Sequence, residues 1–465
     1  MKTQRLLLLI FTVSLFSCSS KHHEKEATTE TPQQQPQSQP EIKQELKPGE
    51  VVPSLACSSD ATQSFALYLP KDYSTSKKFP VIIFFDPHGS GAYPVGLFKS
   101  LADKFGFILM GSNDSKNGVQ FDQSNVIAAN LINEASSRFS VDAKRISFAG
   151  FSGGSKVAQM GASVHPELLS LIYCGASLPI EKLQQLPPAL GFAGVRDMNY
   201  TEVIASGAAL DAKKATHCII EWKGKHEWPD SLSFEDAFYW CSFNAMRIKT
   251  VETDHALVNS FLQRENKLIA SAKNSIAQHD LNLRVVNFLE GIADVSSYKQ
   301  KISAIAQSEA YKKEIQKQQA MLQTEGNLKQ NYMQCFENKD LKWWKEEVAR
   351  MHSMEKGEQE MMYQRLLGYL SLASYSYSNN AIRQNDFTTA QRYLDIYQVA
   401  DPENSEQRFL SACLYARQGD QGKAIASLQE AVQLGLKDKA KIQNEESFNS
   451  LRSNPEFSKL LNGIN

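Results

Sequence analysis

Between residues 65 and 222, short apolar runs recur with helix-patterned stretches and glycine turns between them, and this alternation most constrains the fold. The runs fall at residues 65–69, 81–85, 107–110, 145–149, 171–174, 190–195 and 218–222. The second, Val81-Ile82-Ile83-Phe84-Phe85, has no polar member, as expected of a strand covered on both faces. Residues 124–139 carry Val126, Ile127, Ala129, Leu131, Ile132 and Ala135 at helical spacing. Buried strands alternating with helices predict an α/β fold with a mostly parallel sheet. After about Thr250 the turn signals thin out and charged helix formers dominate, so an all-α region should follow. A chain of 465 residues is also too long for one hydrophobic core. The expected division is an α/β domain over 51–250, a helical connecting region over 251–365 and helical repeats over 366–465.

The first residues read differently. Lys2 and Arg5 precede an apolar run over 6–16, and the small residue Ser17 stands before Cys18, the pattern of an export signal over 1–17. Eleven helical residues rise roughly 16 Å, about half of a hydrocarbon core of about 30 Å, so the run is short for a permanent span. Leu15-Phe16-Ser17-Cys18 resembles the lipobox of bacterial lipoproteins, which implies cleavage before Cys18 and a lipid on it; an ordinary secretory signal is the alternative. Residues 18–50 hold Pro32, Pro36, Pro40, Pro48 and a glutamine run with almost nothing apolar, a linker that cannot bury a core. Localisation in a bacterial envelope, held to a membrane through Cys18, is the expectation.

Gly150-Phe151-Ser152-Gly153-Gly154 lies directly after the strand containing Ile146 and before a helical stretch over 156–160. A serine hydroxyl is a poor nucleophile, so it must stand exposed on a sharp turn within reach of a base, and flanking glycines let strand and helix approach there. The acid and base should follow in that order. Asp197 falls just past the 190–195 strand, and His226, in His226-Glu227-Trp228-Pro229, lies in the loop after the 218–222 strand. Asp197 would orient the imidazole, and His226 would take the Ser152 proton and return it to the leaving group. Asp211 and Asp230 are rival acids, and His165, His217 and His255 rival bases, but none directly follows a core strand.

The developing oxyanion needs backbone donors. Gly153 is one expected donor, and the loop Asp86-Pro87-His88-Gly89-Ser90-Gly91 after the 81–85 strand should supply another from the amide of His88, Gly89 or Ser90.

Tyr68-Leu69-Pro70, His88-Gly89-Ser90-Gly91, Val141-Asp142-Ala143-Lys144-Arg145, the Ser152 turn and His226-Glu227-Trp228-Pro229 together resemble the α/β-hydrolase superfamily. The likeness is greatest to the secreted esterase branch that includes polyhydroxybutyrate depolymerase-like and feruloyl-esterase-like proteins. It covers about two fifths of the chain and implies Ser152, Asp197 and His226 as the triad. Asp86-Pro87 departs from the apolar lead usual before the His-Gly segment.

In the C-terminal half, residues 256–290 and 298–322 have the apolar spacing of amphipathic helices, and the Trp343-Trp344 pair with Met351, Met354, Met361 and Met362 reads as helix packing. Ala390 and Ala424, Leu394 and Leu428, and Asp386 and Asp420 are each 34 residues apart, the period of a tetratricopeptide helix pair. Pro402 closes the first unit, Ala412, Tyr415, Gly419 and Ala431 fit the second, and residues 446–461 read as a final capping helix. Such a region resembles a peptide- or protein-binding repeat, or serves only to shield the first domain or form a dimer.

A formal net charge of -1 excludes a nucleic-acid binder driven by bulk positive charge. The seven cysteines are too few for a disulfide scaffold and form no CxxC pair, so no metal or other cofactor is called for. The sequence therefore predicts an envelope-anchored serine hydrolase cleaving an ester-bearing small molecule or polymer. A serine peptidase with the same triad, and a non-catalytic envelope protein working through its repeats, are the alternatives.

Overall fold

The computed structural model describes residues 46–464. The export signal, Cys18 and most of the linker lie outside the described residues.

Among the described residues eight strands form one sheet: β1 (Val51–Ala56), β2 (Ser64–Tyr68), β3 (Phe79–Phe85), β4 (Ile108–Ser112), β5 (Val141–Phe151), β6 (Ser170–Cys174), β7 (Ala189–Gly194) and β8 (His217–Trp222). Their order is β1-β2-β4-β3-β5-β6-β7-β8; β2 runs antiparallel to both of its neighbours and every other pair is parallel. This is the mostly parallel α/β sheet expected from the sequence. The hydrophobic runs mark the strands to within a few residues, except β1. That strand is an edge with Pro53 inside it and only Val52 and Leu55 buried, so it lacks a continuous apolar signal. Leu46 packs on the core and the Gly49 N–H donates to the Leu69 carbonyl at 2.8 Å, so the last residues assigned to the linker are docked on the sheet.

Among the described residues sixteen α-helices accompany the sheet. Those of the first half are α1 (Ala92–Phe105), α2 (Phe121–Arg138), α3 (Gly153–Val164), α4 (Tyr200–Ala212) and α5 (Ser231–Arg247). Then come α6 (His255–Ser271), α7 (Ser275–Leu289), α8 (Ser296–Gln307), α9 (Glu309–Asn338), α10 (Leu341–Ser353) and α11 (Glu360–Arg383). The chain ends with α12 (Phe387–Ala400), α13 (Ser405–Arg417), α14 (Gln421–Gln433), α15 (Lys439–Asn444) and α16 (Pro455–Asn462). Three stretches expected to be continuous are divided. Asn274 caps α7 after a break that follows α6, Ser308 caps α9 after α8, and the final stretch is a 3₁₀ turn followed by α16, which starts at Pro455 under an Asn454 cap. Polar side chains that accept from the next helix's amides compete with continued helix at each point. No helix among the described residues is long and apolar enough to cross a membrane.

The two faces of the sheet have separate cores. Helices α2, α3 and α4 cover one, while α1 and α5 cover the other. The second core does not stop near residue 250: Phe261 of α6, Phe288 of α7 and Tyr298 of α8 belong to the same buried cluster. Phe261 stacks on Phe288 at 5.0 Å and meets Tyr239 and Phe243 of α5 at 5.3 Å each. The expected division after 250 therefore falls inside one continuous core. A third cluster joins α9 to α12 around Trp344, and a fourth joins α11 to α16. Met351 and Met362 are buried there, whereas Met354 is exposed.

The 34-residue period has a structural counterpart. Asp386 and Asp420 cap α12 and α14, accepting from the amides of Thr389 and Lys423. Ala390 and Ala424, and Leu394 and Leu428, are buried in the same cluster. All six cysteines among the described residues are buried and unpaired. Burial pushes the Cys218 thiol up to about 12 and that of Cys241 up to about 11, which suits small apolar packing groups.

Replacing Phe261 by Ala should cost about 3–5 kcal/mol. In urea titrations, circular dichroism and tryptophan fluorescence should shift to lower denaturant together; a helical change that leaves the sheet's transition in place would show that α6 unfolds independently.

Candidate active site

Ser152, Asp197 and His226 follow β5, β7 and β8 at the C-terminal edge of the sheet. In a parallel sheet the strands all end on one side, so residues far apart in sequence meet there.

Ser152 sits between β5 and α3 with φ 53° and ψ -119°, a conformation that costs a non-glycine residue about 1–3 kcal/mol. Close backbone approaches enforce it. A Cβ on Gly150 would lie 2.2 Å from the Gly154 carbonyl oxygen, and one on Gly154 would lie 2.0 Å from that of Phe85. The Ser152 N–H donates to the Cys174 carbonyl at 2.9 Å, pinning the turn to the end of β6. The N-terminus of α3 therefore abuts the end of β3, from which the 86–91 loop departs.

Asp197 is buried, with 1% of its surface exposed. Its Oδ1 accepts from the Asn199 N–H at 2.8 Å, and the Asn199 amide donates to the Gly175 carbonyl at 2.9 Å. His226 Nδ1 lies 3.0 Å from both carboxylate oxygens, and its Nε2 lies 2.9 Å from Ser152 Oγ. A carboxylate only accepts, so Nδ1 carries the proton and Nε2 is left to accept from the serine hydroxyl. The imidazole packs on the Phe151 ring with centroids 4.8 Å apart.

The rival residues lie away from Ser152. Asp230 caps α5 through the Ser233 N–H at 2.7 Å. His217 Nδ1 bonds the Ala215 carbonyl, and its Nε2 faces Asp211 at 3.7 Å. His165 pairs with Glu167 at 2.9 Å, and His255 is exposed at the start of α6.

The expected oxyanion donors divide. The His88 N–H donates to Asp86 Oδ1 at 2.9 Å, and the Gly89 N–H to the Asp86 carbonyl at 3.1 Å, so the loop's own turn engages both. The Ser90 and Gly153 N–H groups have no hydrogen-bond partner among the described residues. Gly153 opens α3, where the first amides have no partner within the helix and the dipole favours negative charge.

Asp86, which the sequence showed only as a departure, ties two parts of the site together. Its Oδ2 accepts from Trp228 Nε1 at 2.9 Å, linking the 86–91 loop to the segment that carries His226. The Trp228 ring packs on Phe151, Phe84 and Phe98 with centroids 5.7 to 5.9 Å apart. Burial works to raise the Asp86 pKa, but hydrogen bonds from His88 and Trp228 outweigh it and hold the carboxyl below its usual 3.8. The same contact to Asp86 raises the His88 pKa. A carboxylate at the end of an apolar strand, with a tryptophan beside the expected base, was the sequence signal for this contact.

No family model and no curated protein matches the chain. Among solved structures it is similar to an esterase from the hyperthermophilic archaeon Pyrobaculum calidifontis, at 13% identity, covering 43% of this chain and 85% of that one with a TM-score of 0.35. It is similar to the fluorophosphonate-binding serine hydrolase FphF of Staphylococcus aureus, at 12% identity, covering 42% and 98% of the two chains with a TM-score of 0.36. Esterase B of Lactobacillus rhamnosis is another, at 16% identity, 44% and 92% coverage and a TM-score of 0.36. At these scores the likenesses bear on no part of the chemistry.

Because its folded pKa is depressed, Asp86 contributes stability above its ordinary value, and that contribution is lost as pH falls through the folded pKa. Asp86→Asn should destabilise by about 1.5–3 kcal/mol near neutral pH. Thermal melts of the two proteins should converge as pH is lowered below about 4; a gap that is constant with pH would contradict the assignment.

Proposed function

We propose that the chain is a serine hydrolase that cleaves carboxylic esters through an acyl-enzyme on Ser152. The observation that carries this reading is the continuous line of contacts from Asp197 through His226 to Ser152 Oγ, at 3.0 and 2.9 Å, on a turn held at positive φ. Oγ attacks the ester carbonyl carbon as its proton passes to His226 Nε2, and Asp197 stabilises the imidazolium that forms. The carbonyl oxygen becomes an oxyanion facing the Gly153 and Ser90 amides; one such donor is worth about 10²–10³ in rate. Collapse of the intermediate expels the alcohol, which takes the proton from Nε2. Water then attacks the acyl-enzyme, with His226 as base, and releases the acid and Ser152.

The substrate class is an ester-bearing small molecule or polymer. Charged residues over the first positions, the apolar run and Ser17-Cys18 support export and lipid attachment at Cys18, which would hold the enzyme to a bacterial envelope membrane. The 34-residue helix pairs are a candidate surface for a protein partner.

Ser152→Ala should lower hydrolysis of a short-chain nitrophenyl ester by about 10⁴-fold or more while leaving the circular dichroism spectrum unchanged. Wild-type protein should take a fluorophosphonate probe on Ser152; undiminished turnover in the variant would sink the proposal. In a bacterial host, Cys18→Ser should move the protein from the membrane fraction to the soluble one. Retention in membranes would exclude the lipid as its anchor.

A further inference from the structure

Helices α9 and α11 reach the loop that carries Asp197. Arg365 of α11 donates from Nη1 to the Val195 carbonyl at 2.8 Å, and from Nε and Nη2 to Glu325 Oε2 at 3.0 and 2.6 Å. Its guanidinium lies over the Tyr200 ring, 4.5 Å from the centroid, where α4 begins. Glu325 of α9 is fully buried, and Lys329, one turn on, pairs with its Oε1 at 2.8 Å while donating to the Met198 carbonyl at 2.9 Å. Val195 lies just past Gly194, the last β7 residue paired to β8, so its carbonyl has no ladder partner. The carbonyls flanking Asp197 are thus held by two cations from the helical half, oriented by one carboxylate. On the opposite side, the Val195 and Arg196 N–H groups donate to the carbonyls of Trp222 and Gly224, on the approach to His226.

Packing alone does not call for such a cluster. Apolar side chains of similar volume would join helices to a loop as well, without removing three charges from water. What the charges supply is direction: a guanidinium fork and an ammonium each fix one carbonyl in space. We infer that Arg365 and Lys329, oriented by Glu325, are positioning residues for hydrolysis, holding the 195–199 loop so that Asp197 meets His226, and that the helical half is part of the active centre. This rests on the ester hydrolase reading above. A misplacement of about 1 Å in such a constellation costs about 10² in rate.

The test uses the full chain with Lys329→Met, Arg365→Met and Arg365→Lys, each alone and combined with Asp197→Asn. Measured quantities are kcat and KM on a nitrophenyl ester, the rate of fluorophosphonate labelling, and Tm. Lys329→Met should lower kcat about tenfold and Arg365→Met about 10²-fold, with KM little changed and Arg365→Lys recovering part of the loss. In the Asp197→Asn background the same substitutions should change kcat by less than about twofold, because the loop then has no carboxylate to place. Equal losses in both backgrounds, or a fall in Tm with kcat intact, would overturn the inference. Should Arg365→Met fail to fold, Lys329→Met decides it, since that variant keeps the Arg365 to Glu325 pair. A wild-type protein that takes no label on Ser152 would overturn the hydrolase reading and this inference together; labelled wild type with unchanged variants would overturn this inference alone.

Discussion

The approach of the α3 N-terminus to the end of β3 is the contact on which the site depends. It leaves no room for a side chain at Gly150 or Gly154 and turns the chain through Ser152 at positive φ. A non-glycine residue does not hold that conformation unaided. The buried strands β3, β5 and β6 supply the constraint, through their parallel pairing and through the bond from the Ser152 amide to Cys174. The same turn projects Oγ toward His226 and leaves the first α3 amide without a partner among the described residues.

Around this point the site is held by polar contacts between segments distant in sequence. Asp86 joins the loop after β3 to Trp228, and Arg365 with Lys329 joins α9 and α11 to the loop after β7. Farther from the chemistry, Arg264 and Arg284 bind Asp236 and Glu265 in a buried network that ties α6 and α7 to α5. In each, charged groups lose hydration on burial and recover part of it through these partners. The helical half is therefore joined to the sheet by directional contacts as well as apolar area.

Strand positions were legible in the sequence because β3, β4, β6, β7 and the second half of β5 are buried, and burial on both faces demands uninterrupted apolar runs. β1 was not, because an edge strand with Pro53 and one sided burial carries no such run. Helix breaks at Asn274, Ser308 and Asn454 were missed for a different reason. Apolar spacing continues across them, and only the side-chain caps interrupt the helix. The end of the first core at 250 was misjudged because composition changes there while the aromatic cluster through Phe261 and Phe288 does not.

By itself the sequence determined the sheet class, the serine turn, and three strand ends where Ser152, Asp197 and His226 would stand, since these follow from local periodicity and short-range turn chemistry. Tertiary structure alone decided that their side chains lie within hydrogen-bond distance. It alone decided that residues from α9 and α11 grip the loop that carries Asp197. Those facts depend on pairings across 29 to 170 residues of sequence, and no local pattern encodes which buried charge will find which carbonyl.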